Sequence, residues 1–133
     1  MRRRLTVSAA LAATALCLAA APARPAPVSE EPDLRGVFLT VAGADGTWSR
    51  GVLLECDPVP RGDHARAREA CAALDAVDGD LDALPEAPGA CPTDYDPVTA
   101  TAEGTHRGEP VAWERTFTNA CVLSRATGTV FAY

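Results

Sequence analysis

The chain has 133 residues, with 12 Lys and Arg against 18 Asp and Glu and a formal net charge of −6. That acidic balance, with no basic patch, argues against a nucleic-acid partner. Aromatic residues are only 5% of the chain while Pro and Gly number 11 and 10, so an aliphatic core joined by turn-rich connections is expected.

The chain opens MRRRLTVSAALAATALCLAAAPARPAP. Arg2, Arg3 and Arg4 precede an almost uncharged apolar run, Leu5 to Ala21, and Ala21-Pro22-Ala23 is a small-x-small site. This is the layout of a secretory signal peptide, predicted over 1–23 with cleavage after Ala23, and it implies a secreted, extracellular protein. The run is alanine-rich and at the short limit for a bilayer span, for which roughly 18–20 residues are usual, so no membrane contact is expected after signal removal. Residues 24–35, rich in Pro and acid, read as a flexible arm. Residues 36–133 read as the domain, and the mature chain of about 110 residues has the size of one.

GVFLTVAG (36–43) is predicted to be a strand, ADGTW a turn and GVLLEC (51–56) the hairpin partner. DPVPRGDH (57–64) reads as a loop, with Asp63 as candidate N-cap for a helix over HARAREACAALDAV that Gly79 ends. ALPEAPGA (83–90) is again loop. VTATAEG (98–104) alternates, THRG turns, and PVAWERTF (110–117) has the clearest strand alternation in the chain. TVFAY (129–133) is predicted as a C-terminal strand. The sum is an α+β domain: a single five-stranded antiparallel sheet with one main helix on one face and room for a short second one.

Loss of Cys17 with the signal leaves Cys56, Cys71, Cys91 and Cys121, an even count that predicts two disulfides in a secreted chain. Three pairings are possible. Joining sequence neighbours would close loops of about 15 and 30 residues, each worth roughly 3–4 kcal/mol by loop entropy. There is no CxxC pair and no histidine near Cys91 or Cys121, so zinc is not expected. DGDLD (78–82) lacks the sixth-position glycine and closing glutamate of a calcium loop and reads as a helix end rich in solvated carboxylates. His64 and His106 stand without a G-x-S-x-G turn or other nucleophile signature, so neither enzyme activity nor a cofactor is expected. His64 reads as a loop or helix-start residue.

CPTDYDPV (91–98) combines a cysteine with two prolines. Pro92 and Pro97 fix their own φ and push Cys91 and Asp96 away from helix, and Thr93 prefers extended backbone. Local physics leaves two readings: a structural loop with Tyr95 in the core, or a rigid exposed segment suited to a protease groove, where preorganisation lowers the cost of binding.

The chain resembles the Streptomyces subtilisin inhibitor family of secreted serine protease inhibitors. The residues that carry the resemblance are FLTVAG; C-D-P-V-P-R-G-D-H-(x)6-C from Cys56 to Cys71; ACAALDAVDGDLDAL; CP-x-x-YDPV; WERTFTNAC; and GTVFAY, in that order. The resemblance implies disulfides Cys56–Cys71 and Cys91–Cys121, a homodimer formed by sheet packing, and a serine endopeptidase as partner. It places the reactive bond at Thr93–Asp94, with Thr93 in the protease's primary pocket. Cys91 and Pro92 precede that bond, and Tyr95, Asp96, Pro97 and Val98 complete the binding loop, with Asn119 bracing it from behind. The sequence departs from the family at the centre of the motif. Thr93 stands where a long side chain is common, and each missing buried CH₂ is worth about 0.8 kcal/mol; Asp94 adds a carboxylate. The same scaffold would also suit a non-inhibitory secreted binding module, or a slow protease substrate.

Overall fold

A computed structural model describes residues 35–133. The segments expected to be signal peptide and arm lie outside them, apart from Arg35. The elements run β1 (Val37–Gly43), β2 (Ser49–Glu55), β3 (Arg61–Gly62), α1 (Ala67–Ala76), β4 (Val98–His106), β5 (Glu109–Phe117) and α2 (Ala120–Thr127). The strands form one antiparallel sheet in the order β3-β2-β1-β4-β5.

Alternation along each strand sorts side chains between two faces. Val37, Leu39 and Val41 of β1, Leu54 of β2, Val98, Ala100 and Ala102 of β4, and Val111 and Phe117 of β5 point to the core. Ala70, Cys71 and Leu74 of α1 and Leu123 of α2 meet them there, with Val130 and Phe131 of the C-terminal tail. The helix α1 packs over β2 and β3, and α2 over β4 and β5. Leu39, Leu54 and Leu74 are fully buried, each worth roughly 1.5–3 kcal/mol in area removed from water.

Two backbone sites fix the sheet's dimensions. Arg107 (φ 52°) and Gly108 (φ 83°) close the β4–β5 hairpin between the paired His106 and Glu109, the two-residue loop whose left-handed conformation matches strand twist. At Gly104 (φ 135°) a Cβ would sit 2.1 Å from the Gly36 carbonyl oxygen, so only glycine lets β1 enter beside β4.

Three sequence expectations are corrected. TVFAY is not a strand. After Gly128 (φ 56°) the chain turns, with Val130 N–H donating to Thr127 O and Ala132 N–H to Thr129 O. Its apolar residues serve burial rather than ladder pairing, which is what strand propensity often measures. The fifth strand is instead Arg61–Gly62, inside the stretch expected to be loop, where Gly62 and Arg61 pair with Leu54 and Glu55. Asp63 does not cap α1. Its N–H is bonded to Leu53 O as the chain leaves β3, and the helix starts at Ala67 after Arg66, which makes no side-chain cap.

His64 does the local work at that helix entry. Its ring is buried, Nδ1 accepts from Arg66 N–H at 3.0 Å, and Nε2 lies 2.9 Å from Val130 O. With Nδ1 accepting, Nε2 carries the proton and donates, so one neutral ring ties the start of α1 to the tail. His106 is buried at the opposite turn, with Nε2 3.0 Å from Asp75 Oδ1.

Candidate functional site

Beyond a one-turn 3₁₀ segment at Leu81–Ala83, residues 84–97 adopt no regular structure before β4 begins at Val98. Prolines at 85, 88, 92 and 97 explain this, since each lacks an N–H and constrains its predecessor to extended backbone. Pro92, Thr93, Asp94, Tyr95 and Asp96 are all exposed. Tyr95 is 78% exposed, which overturns the reading that buries it in the core.

An exposed loop without secondary structure is ordinarily mobile. Here every few residues it is tied to α2 or to the residues just before it. Cys91 is bonded to Cys121 in the first turn of α2, with Cα atoms 5.7 Å apart. Asn119 is buried and uses its whole amide group. Its Oδ1 accepts from Val122 N–H at 3.0 Å and caps α2, while Nδ2 donates to Pro92 O at 3.1 Å and to Asp94 O at 3.0 Å. Asp96 N–H donates to Thr118 O at 3.0 Å. The two carbonyls held by Asn119 flank Thr93, so the Thr93–Asp94 peptide is fixed from below while both side chains face solvent.

Asparagine suits this place for a chemical reason. Aspartate or serine would cap the helix about as well, but a carboxylate offers no donors and would repel both carbonyls, and a hydroxyl offers one. Upstream, Ala87 N–H donates to Arg125 O at 2.8 Å, Arg125 Nε donates to Ala87 O at 2.9 Å, and Arg125 Nη2 pairs with Glu86 Oε1 at 2.8 Å. The sequence reading missed the Thr118, Ala87 and Arg125 contacts. Main-chain groups carry most of them and leave no side-chain signature.

The other sequence-flagged residues lie elsewhere. Cys56–Cys71 joins the end of β2 to α1, with Cα atoms 5.4 Å apart. It sits at the Val37 end of the sheet, whereas Val98 pairs with Gly43 at the other end. Neither histidine reaches the loop. Among the described residues no cluster of His, Cys, Asp and Glu is arranged to hold a metal ion, and no helix is long and apolar enough to cross a membrane.

Comparison with known proteins agrees with this fold. The family model described as subtilisin inhibitor-like matches residues 35–119. A subtilisin inhibitor of Streptomyces albogriseolus is 42% identical over 100 residues, 74% of this chain and 67% of its own length. Subtilisin inhibitor-like protein 5 of Streptomyces fradiae is 44% identical over 102 residues, 73% of this chain and 95% of its own. Among solved structures, Streptomyces caespitosus sermetstatin, crystallised in complex with Bacillus licheniformis subtilisin, superposes with a TM-score of 0.61 at 37% identity, covering 74% of this chain and 97% of that one. With a matching family model over residues 35–119, relatives above 40% identical and a solved structure that shares its fold, the chain belongs to the subtilisin inhibitor-like family.

Proposed function

We propose that this protein is a secreted inhibitor of serine endopeptidases of the subtilisin type. It presents Cys91–Val98 as a bound-substrate mimic, with Thr93–Asp94 as the reactive bond. The observation that carries this reading is the Asn119 side chain donating to both Pro92 O and Asp94 O beneath an exposed peptide. A protease groove binds extended backbone much as a sheet edge accepts a strand. A segment already extended loses little conformational entropy on docking.

The same bracing explains why cleavage would not end inhibition. If the protease cuts Thr93–Asp94, the new carboxyl end remains held through Pro92 O and the Cys91–Cys121 bond, and the new amino end through Asp94 O and the Asp96–Thr118 bond. The ends stay within reach and religation competes with release, an effective-molarity argument. Titration of subtilisin with the protein, followed by intact-mass analysis, tests this. Stoichiometric, lasting loss of activity with the chain intact or reversibly nicked is expected. Full recovery of activity with the chain consumed would mean a substrate.

The inhibitor acts as a homodimer through the outward sheet face. Phe38 on that face remains 46% exposed and its ring lies over Gly51, where a Cβ would come within 2.8 Å of Phe38 Cζ. The neighbouring outward positions are mostly small, Thr40, Ala42, Thr99, Thr101, Ala112 and Thr116, with Leu53 and the carboxylates Glu103 and Glu114 beside them. Such a face is flat enough to pack against its own copy. Light scattering coupled to size exclusion checks the mass, and Phe38→Glu should give a monomer.

A further inference from the structure

We infer that Arg125, in the last turn of α2, is a positioning residue for the acyl side of the binding loop: it clamps Glu86 and Ala87 and thereby sets the course of Pro88–Ala90 into Cys91. The inference rests on the inhibitor reading and extends it to a part of the loop beyond the expected binding segment.

Ala87 and Arg125 exchange two hydrogen bonds, Ala87 N–H to Arg125 O at 2.8 Å and Arg125 Nε to Ala87 O at 2.9 Å. Arg125 Nη2 also meets Glu86 Oε1 at 2.8 Å. The Arg125 side chain is 30% exposed and Glu86 is 64% exposed. The Glu86 pair is therefore a weak surface contact, and the carbonyl bond is the stronger anchor. Pro85 and Pro88 flank the clamped pair and already restrict it, so few contacts suffice to fix it.

Geometry shows why a clamp is needed there. From Cys121 to Arg125 the helix advances about 6 Å, at 1.5 Å per residue. The same four-residue step from Cys91 back to Ala87 could span roughly 13–14 Å if extended. The disulfide alone thus leaves slack upstream, and the chain takes it up in a bend at Pro88 and Gly89, where φ is 125°. Removing Arg125's side chain leaves only the main-chain bond from Ala87 N–H to Arg125 O to hold that bend, and so loosens it. Ala90, the residue before Cys91, would then sample orientations that cannot pair with the groove of a protease as an added strand.

The test compares the parent with Arg125→Ala and Arg125→Lys, using subtilisin as probe, an inhibition constant and hydrogen exchange at the Ala87 amide as readouts, and melting of the sheet as the folding control. The inference expects Arg125→Ala to weaken inhibition about tenfold and to speed Ala87 exchange. Arg125→Lys should recover part of both, because an ammonium keeps the charge but lacks the Nε–H fork, and it stands in for the comparison if Arg125→Ala does not fold. If either readout stays within twofold of the parent, the inference is overturned, since a loosened arm without effect, or an effect without a loosened arm, both contradict it. A parent that fails to inhibit sinks the inhibitor reading instead, and exchange at Ala87 alone then decides whether Arg125 holds the arm.

Discussion

Asn119 serves two parts of the molecule at once, because a single amide both caps α2 and holds the loop. The two roles can be separated. Asn119→Asp keeps an oxygen for Val122 N–H, so α2 stays capped, but it loses both donors and sets a buried carboxylate against the two loop carbonyls, so the loop should be released and the melting temperature should fall. Two lost hydrogen bonds at roughly 0.5–1.5 kcal/mol each should weaken inhibition by about tenfold to a hundredfold and hasten cleavage at Thr93–Asp94. Asn119→Ala should do both kinds of damage, losing about 1 kcal/mol of cap as well. Inhibition constants and denaturant melts of the two variants check this, and equal inhibition by Asn119→Asp would remove the amide from the mechanism. On the proposed reading, Thr93 would set selectivity. A short β-branched side chain suits a shallow primary pocket, so Thr93→Met should gain roughly 1–3 kcal/mol against subtilisin, the usual worth of filling an apolar pocket by a methylene or two. Thr93→Lys should gain trypsin inhibition, because that enzyme's pocket needs a cation. At the other end of the chain, burial raises the Tyr133 phenol to about 12, against an opposing pull from Arg50, and its hydroxyl donates to Leu39 O at 3.1 Å. The folded state therefore keeps its proton when the unfolded chain has already lost it near 10. Stability is full below pH 10 and falls as pH rises toward 12. Tyr133→Phe should be less stable at neutral pH, by about 1 kcal/mol for the lost hydrogen bond, and should show a shallower alkaline decline.

At the scale of elements, α2 makes the loop a site. The sequence NACVLSRATG carries the start and stop signals of a helix, an asparagine cap and a glycine end, yet at eight residues it is short enough to be read only as a possible addition to the main helix. The strands β1, β2, β4 and β5 were legible because alternation reports burial directly, as in Val111 and Phe117 against Ala112 and Thr116. TVFAY misled for the same reason: Val130 and Phe131 are buried, but beneath the sheet and without ladder partners. The two-residue β3 is too short to carry a pattern: Gly62 has no side chain, and Arg61, whose guanidinium pairs with the Glu55 carboxylate across the strands at 2.7 Å, is exposed. In the site, the extended course of 91–97 was legible from its prolines. Its anchoring at Ala87 and Asp96 was not, because backbone N–H and C=O groups are common to every residue. The tether between loop and helix is testable as a unit. Cys91→Ser with Cys121→Ser should leave the sheet formed, since Cys56–Cys71 lies at the other end of it. It should make the loop an ordinary substrate, seen as rapid, complete cleavage under conditions where the parent persists.

Across the whole molecule, the two disulfides divide the work. One pins α1 to β2 at the Val37 end of the sheet, and the other pins the loop to α2 at the Gly43 end. The sheet between them has one face filled by the helices and tail and one outward face on which Phe38 lies between Leu53 and Glu103. The proposed dimer and the proposed inhibitory loop would use different surfaces, so Phe38→Glu should leave the inhibition constant within a few-fold of the parent while giving a monomer. On the proposed reading, Thr93–Asp94 is offered to a protease as a bond that is bound but not lost. The most direct measurement follows that bond by intact mass during prolonged incubation with an equimolar amount of subtilisin, alongside residual enzyme activity. Activity should fall in proportion to added protein and stay low, with the peptide intact or settling at a constant fraction nicked between residues 93 and 94. Steady, complete cleavage with return of enzyme activity, or a nick at any other peptide bond, would contradict it.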